Sequence, residues 1–311
     1  MPLDRTGLQR SATRGAVLDA LGTHHHSSAE WTDSHKLEAD DPQRRHTAMM
    51  ADPFVYIVGG LLAGIMVGLT GVGGGSLMTP LLILVFGQSP ATAVGTDLAF
   101  AAITKVAATA SFGYSRRVDW RIVGRLALGS IPGAAVAIAW FWLSPSPLVV
   151  DHLILLALAV MLVITAAGLV LQYPLRHLGL KLAVSLEGAD RHRRLLTLLA
   201  GFFIGVAVTL TSVGAGALGT VALVWLYPLR LQGDRLVATD IAHALPITII
   251  AGLGHAALGH LNLAVLACLL IGSIPGILIA SRVVIRLPQA ITRTLVAVML
   301  VVAAGRVFLA S

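Results

Sequence analysis

Ionisable side chains inside apolar stretches are the residues of this sequence best suited to chemistry. Asp97 and Asp240 each lie a turn or two inside such a stretch, Lys105 follows Asp97 by eight residues, and His243 follows Asp240 by three. A charged side chain at the centre of a bilayer costs about 2.5–3.5 kcal/mol on insertion scales, so its presence indicates a function. The aspartates could carry protons or bind a coupling cation. They could instead cap neighbouring helices by accepting backbone N–H bonds.

Lys105 and His243 can reach the aspartates, because spacings of eight and three residues return to the same face of a helix. Lys105 could be the counter-charge of an anion, pair with Asp97, or extend its amine to the membrane surface. His243 could relay protons or be a hydrogen-bonded core histidine. The candidates for coupling or gating are Thr96, Asp97, Thr239, Asp240 and His243.

Two glycine-rich runs interrupt apolar stretches. Residues 71–75 read Gly-Val-Gly-Gly-Gly (the first break), and residues 212–216 read Ser-Val-Gly-Ala-Gly (the second break). A glycine backbone lets a ligand approach closely, and a helix that begins after each break would offer free N–H groups to an anion. Close helix packing through small residues is the alternative. The candidates for substrate binding are Thr70, Gly73, Gly74, Gly75, Ser76, Lys105, Thr211, Gly214 and Gly216.

Ten apolar stretches must position these residues. A membrane-spanning helix needs about 20 residues, with a range near 17–25. Two stretches that follow the breaks are short for this, which predicts half-helices of re-entrant hairpins or short tilted spans. The stretches are 54–70, 76–87, 93–114, 121–142, 149–172, 195–211, 216–228, 235–257, 261–281 and 293–309.

Composition excludes an ordinary soluble enzyme. Charged residues make up 12% of the chain, against about 25% in soluble proteins, and mean hydropathy is +0.85. The isoelectric point near 10.3 does not indicate nucleic acid, because the basic residues lie between apolar runs, as in membrane loops. Cys268 is the one cysteine, so neither an intrachain disulfide nor a cysteine metal cluster is expected. Motifs for zinc hydrolysis, serine hydrolysis and phosphate loops are missing, so we predict no enzyme, metal or cofactor.

An internal duplication relates two halves of the sequence. Residues 64–77 match 205–218 at an offset of 141, and Thr96-Asp97 matches Thr239-Asp240 at an offset of 143. The pentapeptide Gly-Ser-Ile-Pro-Gly at 129–133 recurs at 272–276, again at an offset of 143. Three pairs of matching segments occur in the same order and are separated by nearly the same number of residues, which indicates an internal repeat. Pro132 and Pro275 inside this pentapeptide would kink their helices and could act as hinges, with plain packing as the alternative.

The basic loops indicate how the halves are oriented. Loops 114–125, 173–194, 228–235 and 282–293 carry arginine or lysine, whereas 88–92, 143–148 and 258–260 carry neither. Loops rich in arginine and lysine stay on the cytoplasmic side of a membrane. Where a loop of one half is basic, the equivalent loop of the other half is neutral, so the two halves should have opposite orientations across the membrane. Such inverted repeats are typical of secondary transporters that bind substrate near the midplane.

The predicted fold is an all-α, polytopic integral membrane protein. It has about 8–10 transmembrane segments in two inverted repeats with glycine-broken helical hairpins. Residues 1–50 form a polar, disordered extension, and translation from Met49 or Met50 instead of Met1 stays open. Residues 51–172 form the first membrane repeat, 173–194 a cytoplasmic basic linker, and 195–311 the second membrane repeat.

The run GLTGVGGGSLMTPLLILVFGQSPATAVGTDL, followed by GSIPG and a degenerate second copy, resembles the TauE/SafE family of bacterial membrane transporters. The resemblance covers about residues 55–309. It implies export or uptake of small sulfur-containing anions such as sulfite, sulfoacetate or other organosulfonates. Residues 70–75 with Thr96-Asp97 match the family's first motif, and 213–216 with Thr239-Asp240 its second. Ser212 and Ala215 stand where the first copy has glycines, which leaves the symmetry of the half-sites open.

We therefore predict a secondary transporter of a small sulfur-containing anion in the bacterial inner membrane, coupled to an ion gradient. Its partners would be that substrate and the lipid bilayer; a homo-oligomer stays open. One alternative is a cation- or proton-linked carrier that uses the paired aspartates. Others are an intramembrane enzyme and a non-transporting membrane assembly factor. The identity of the anion, the direction of transport and the coupling ion are not determined by the sequence.

Overall fold

The computed structural model describes residues 52–70, 75–114, 117–144, 146–171, 174, 178, 180, 190–214, 216–283 and 289–310. These residues belong to one compact unit, Asp52–Ser311. They form helices and short connections, and no strand occurs among them. The all-α prediction is therefore confirmed. The predicted extension at 1–50, and most of the linker at 173–194, lie outside the described residues.

Ten helices of the described part of the chain correspond, in the same order, to the ten predicted stretches, and residues 174, 178 and 180 in the predicted linker are also helical. Five of them, α4, α5, α6, α8 and α9, contain segments long and apolar enough to cross a membrane. A polytopic membrane protein is the structure expected for such a set. The helices are α1 Pro53–Thr70, α2 Gly75–Leu84, α3 Pro90–Tyr114, α4 Trp120–Leu143, α5 Pro147–Val170, α6 Asp190–Thr211, α7 Ala217–Leu226, α8 Asp234–Ala257, α9 Leu263–Val283 and α10 Gln289–Ala310.

The two helices that follow the breaks are short, as predicted. Helices α2 and α7 have 10 residues each. At about 1.5 Å per residue each is about 15 Å long, half of the ~30 Å hydrocarbon core. Neither helix can therefore cross a bilayer alone.

Several helices begin earlier than the apolar pattern predicts. Helix α6 begins at Asp190, five residues before the predicted start, so the last part of the predicted linker 173–194 is helical. Arg191, Arg193 and Arg194 lie in its first turns rather than in a loop. Apolar character marks the part of a helix inside hydrocarbon, whereas the hydrogen-bonded helix continues into the polar interface. The start of α6 read from hydropathy is therefore too late.

The Gly-Ser-Ile-Pro-Gly segment of α4 is a close helix contact. Helix α4 continues through Pro132, and it packs against α6. A Cβ atom added at Gly129 or Gly133 would collide with backbone atoms of α6. Gly201 and Gly205 of α6 face α4 in the same way. Glycines four residues apart on both helices let the two backbones approach closely.

The second copy of this segment makes the equivalent contact between α9 and α1. Gly272 and Gly276 of α9 lie against the backbone of α1, while Gly60 and Gly64 of α1 lie against that of α9. Helices α1 and α6 are equivalent in the duplication, as are α4 and α9. The two halves therefore exchange partners, because each half packs its first helix on the fourth helix of the other half.

The third helices of both halves, α3 and α8, pack against each other and run antiparallel. Thr96, near the start of α3, bonds to Asn262 in the connection that follows α8. Arg117, just after α3, bonds to Asp234 at the start of α8. The fifth helices, α5 and α10, also form a pair. This arrangement brings the two Thr-Asp motifs to the helix pair that both halves share.

The outer surface of the helices is apolar. Large side chains such as Phe203, Leu253, Leu278 and Phe308 are more than half exposed. Soluble monomers rarely expose extensive apolar patches, whereas lipid requires them. The polar residues instead lie inside, and the buried set includes Asp97, Lys105 and Asp240.

Candidate functional site

Asp97 is enclosed between α3 and the short helix α2. The carboxyl is fully buried, and its Oδ2 accepts a hydrogen bond of 2.5 Å from the hydroxyl of Thr79. Its second oxygen, Oδ1, has no hydrogen-bond partner among the described residues. Buried polar atoms are nearly always paired, so an unpaired carboxylate oxygen indicates a place for a proton, water or ligand.

Asp240 repeats this arrangement in the second half. Its Oδ2 accepts a hydrogen bond of 2.8 Å from the hydroxyl of Thr220 on α7, and its Oδ1 lacks a partner in the described part of the chain. Thr220 is equivalent to Thr79 at the offset of 141. Gly219 lies so close to Asp240 Oδ1 that any side chain there would displace the carboxyl. Each short helix therefore holds the aspartate of its own half.

Lys105 connects the two aspartates electrostatically. Lys105 is 5% exposed on α3, and its charge acts on both Asp97 and Asp240 without forming a direct salt bridge to either. The equivalent residue of α8 is Thr248, whose hydroxyl donates to carbonyl oxygens of its own helix. The buried cluster of Asp97, Lys105 and Asp240 thus has one cation for two carboxyls. We call these three residues the charge cluster.

The second break lies beside this cluster. Ser212 is buried near Asp97 of the other half, and its hydroxyl, like Asp97 Oδ1, has no hydrogen-bond partner among the described residues. Ser212 has φ 57° and Gly214 has φ 101°, so the chain turns sharply here. The hydroxyl of Thr211 donates to Ala207 O (2.7 Å) and accepts from Val213 N (3.2 Å), so it stabilises the end of α6. Gly216 precedes α7 without a side-chain cap.

Thr96 and Thr239 connect the two halves. The hydroxyl of Thr239 accepts a hydrogen bond of 3.1 Å from the backbone N–H of Asp119 (the Thr239 clasp). The hydroxyl of Thr96 accepts one of 3.1 Å from the backbone N–H of Asn262 (the Thr96 clasp). Asp119 and Asn262 cap α4 and α9 and are equivalent at the offset of 143. Each threonine therefore holds the start of a helix from the opposite half.

His243 lies apart from the charge-cluster contacts. It is 1% exposed, and its Nε2 lies 3.2 Å from the hydroxyl of Ser130 in the first Gly-Ser-Ile-Pro-Gly segment. A hydrogen-bonded core histidine fits this geometry, and its role in coupling stays a prediction. Pro275 lies inside a continuous α9, as Pro132 does in α4, and their role as hinges also stays a prediction.

The first break is only partly described. Thr70 ends α1, and Gly75 and Ser76 begin α2. Gly73 and Gly74 lie outside the described residues. Substrate binding by this break therefore stays a prediction. A group of three or more residues able to hold a metal ion is not found in the described part.

Sequence reasoning missed the two threonines that bond the aspartates. The match between 64–77 and 205–218 continues two residues further, to Thr79 and Thr220. That extension was the available signal. Asp119 and Asn262 were missed because the equivalent residues differ in type, although both suit a helix N-cap.

Thr79→Val should lower the free energy of unfolding by about 1–3 kcal/mol, because it leaves a buried carboxylate oxygen without its donor. Thr220→Val should have an effect of similar size. Thr104→Val on α3 is the control, since the Thr104 hydroxyl donates only to carbonyls of its own helix. Thermal unfolding in detergent measures all three. Equal stability of Thr79→Val and Thr104→Val would contradict the role of Thr79.

Comparison with known proteins agrees with this architecture. The family model described as sulfite exporter TauE/SafE matches residues 56–307. A protein of Bacillus subtilis (strain 168), named as the probable membrane transporter protein YjnA, is 39% identical over 231 residues. The alignment covers 73% of this chain and 88% of that protein. No solved structure matches the chain significantly.

Proposed function

Because the chain belongs to the TauE/SafE sulfite exporter family, it is a membrane transporter, and we propose that it is a secondary transporter of a small sulfur-containing anion. The proposed substrates are sulfite, sulfoacetate and related organosulfonates. Transport takes place across the bacterial inner membrane and is coupled to an ion gradient. The family and the Bacillus relative support the membrane-transporter part of this proposal.

The charge cluster is the observation that carries the proposal. Lys105 is a buried cation that faces two carboxyls, each of which has one oxygen without a partner among the described residues. With all three groups ionised the cluster carries a net charge of −1 and repels an anion. A proton on Asp97 or Asp240 makes the cluster neutral and removes this repulsion, and a proton on both leaves the positive charge of Lys105 to the substrate. Binding of the anion and of a proton therefore support each other.

The packing of the halves supports the proposed inverted repeat. Helices α3 and α8 run antiparallel, and each half packs its first helix on the fourth helix of the other. The basic connection after α3 meets the basic connection before α8, which suits one cytoplasmic face. The charge cluster then lies between the halves, where inverted-repeat transporters bind their substrates.

Flux in proteoliposomes tests the proposal. Vesicles are given radiolabelled sulfite, then sulfoacetate, under an imposed pH gradient. We expect gradient-dependent flux in the wild type and at least about a tenfold loss in Asp97→Asn, because asparagine cannot take up the coupling proton. Thr104→Val is the control. It removes only hydrogen bonds from a hydroxyl to carbonyl oxygens of its own helix, so this variant should keep its flux.

Two outcomes would contradict the proposal. Unchanged gradient dependence in folded Asp97→Asn protein would leave Asp97 as a structural partner of Thr79. Absence of flux for every sulfur anion tested, with folded wild-type protein in the vesicles, would overturn the substrate class.

A cation- or proton-linked carrier is the second candidate. The two unpartnered carboxylate oxygens favour it, since oxygen atoms of this kind bind hard cations. Competition separates the two candidates: sulfite and sulfonates should inhibit an anion carrier and leave a cation carrier unaffected. A non-transporting assembly factor would show no flux and would tolerate Asp97→Asn.

A further inference from the structure

The Thr239 and Thr96 clasps close opposite ends of the α3–α8 pair. In each, a threonine hydroxyl accepts the backbone N–H of a capping residue at 3.1 Å. The capping residue also accepts a backbone N–H of its own helix, at 3.4 Å for Asp119 and 3.1 Å for Asn262. Because the backbone contacts match, the two closures differ mainly in the charge of the capping side chain.

The Thr239 clasp carries an ionic latch. The Asp119 side chain is 4% exposed, and Arg230 bonds both of its oxygens, with Nε to Oδ2 at 2.6 Å and Nη2 to Oδ1 at 3.2 Å. Arg235 adds a contact of 3.4 Å to Oδ2. Bidentate arginine–carboxylate pairs are strong and directional. One carboxylate therefore ties the start of α4 to the connection after α7 and to the first turn of α8.

The Thr96 clasp has a neutral capping residue. The residues equivalent to Arg230 and Arg235 at the offset of 143 are Gly87 and Thr92, so the same latch cannot form on Asn262. His260 lies nearby and contacts His255 through their Nδ1 atoms at 3.3 Å. Burial lowers the pKa of His260, against an opposing effect of Asp151, so His260 is neutral at pH 7.

An apolar cluster lies beneath the Thr239 clasp. Val118, Val123, Ala238 and Ala242 are all buried and pack together. Val118 directly precedes Asp119, and Ala238 directly precedes Thr239. Release of the clasp would therefore open this cluster to water, whereas the clasp keeps it shut.

We propose that Asp119 is a positioning residue whose ion pairs with Arg230 and Arg235 latch the cytoplasmic closure of the transporter. Among the described residues the opposite closure has no matching latch, so the resting protein keeps its cytoplasmic side shut and opens more readily to the outside. The inference rests on the proposed function, since alternate opening belongs to a carrier. It also uses the cytoplasmic placement of the basic connections.

Accessibility of one reporter cysteine tests the latch. Cys268→Ser removes the native thiol, and Ala242→Cys places a reporter in the apolar cluster. Inverted vesicles present the cytoplasmic face to a membrane-impermeant maleimide. Asp119→Asn keeps the capping oxygen and the backbone donor but removes the charge. We expect it to raise the labelling rate at least about tenfold, because the buried carboxylate loses its charge-assisted bonds to Arg230 and Arg235, whose side chains are 44% and 52% exposed.

Arg117→Gln is the matched control. It breaks the ion pair with Asp234 on the same face, where the two side chains are 49% and 75% exposed. Exposed pairs contribute little, so labelling should change by less than about twofold. Unchanged labelling in Asp119→Asn, or an equal rise in Arg117→Gln, would overturn the proposal.

A second variant covers the case in which Asp119→Asn does not fold. Arg230→Gln leaves Asp119 in place and should raise labelling at least about threefold, since Arg235 retains one contact. Unchanged labelling in that variant would also overturn the latch. Labelling needs no substrate, so its result is independent of the flux experiment. Faster labelling without any sulfite flux would overturn the proposed substrate and leave the latch supported.

Discussion

Replacement of Lys105 by glutamine should lower the flux of sulfur anions at least about a hundredfold. The lysine is buried and faces Asp97 and Asp240. Glutamine removes the positive charge offered to the anion and leaves two enclosed carboxyls without their cation. A hundredfold change in affinity corresponds to about 2.7 kcal/mol, which is the order of one charge–charge interaction at an effective dielectric constant of about 20. The initial rate of radiolabelled sulfite uptake into proteoliposomes measures the effect.

Companion variants separate charge from packing at this site. Lys105→Arg keeps the positive charge in a different shape and should retain at least about a tenth of the flux. Arg121→Gln removes an exposed cation at the start of α4 and should leave flux within about twofold. Full flux in folded Lys105→Gln protein would show that the lysine only neutralises the aspartates, and would remove it from the substrate site.

The three residues of the charge cluster were conspicuous in the sequence, whereas their assembly into one cluster was not predictable. An aspartate or lysine in an apolar stretch is costly, and therefore conspicuous. A threonine there costs little, because its hydroxyl can bond a carbonyl of its own helix, as Thr104 does. Thr79 has the same local pattern but donates to Asp97 instead. In the sequence, only the match of Thr79 with Thr220 in the repeat distinguishes these two threonines, and the packing of α2 against α3 then shows which group Thr79 bonds.

The repeat was predictable because matched blocks persist in the sequence at a nearly constant offset. The exchange of partners between the halves was not, because it depends on contacts between helices distant in the chain. The Gly-Ser-Ile-Pro-Gly segments illustrate what a sequence cannot decide, because a hinge and a close helix contact are equally compatible with this pentapeptide. In the structure Gly133 of α4 meets α6 and Gly276 of α9 meets α1, so the glycines serve packing. The matching contacts of Asp119 and Asn262 with Thr239 and Thr96 likewise become visible only when α3 and α8 are placed antiparallel.

Gly133→Ala should destabilise the protein by about 1–3 kcal/mol, the usual range for overpacking. The added Cβ would collide with the backbone carbonyl of Phe202, and a change of rotamer cannot move a Cβ atom away. The helices α4 and α6 must therefore separate. Thermal unfolding in detergent, followed by size-exclusion chromatography, should show a midpoint lower by roughly 3–10 °C.

Gly124→Ala is the matched control on the same helix, because an added Cβ there meets nothing within 4 Å. Alanine is the better helix former, so this variant should be as stable as the wild type or slightly more so. Equal midpoints for Gly124→Ala and Gly133→Ala would contradict close packing at the α4–α6 contact.

Double variants test whether the two glycine contacts are separate units. Gly205 lies on α6 in the same contact as Gly133, whereas Gly276 lies in the α1–α9 contact. Once Gly133→Ala has separated α4 from α6, Gly205→Ala should add less than its individual cost. Gly133→Ala and Gly276→Ala should instead be additive within about 0.5 kcal/mol, because they share no partner. Strong coupling between Gly133 and Gly276 would show that the two halves respond as one packed unit, so that a displacement at one contact is transmitted to the other.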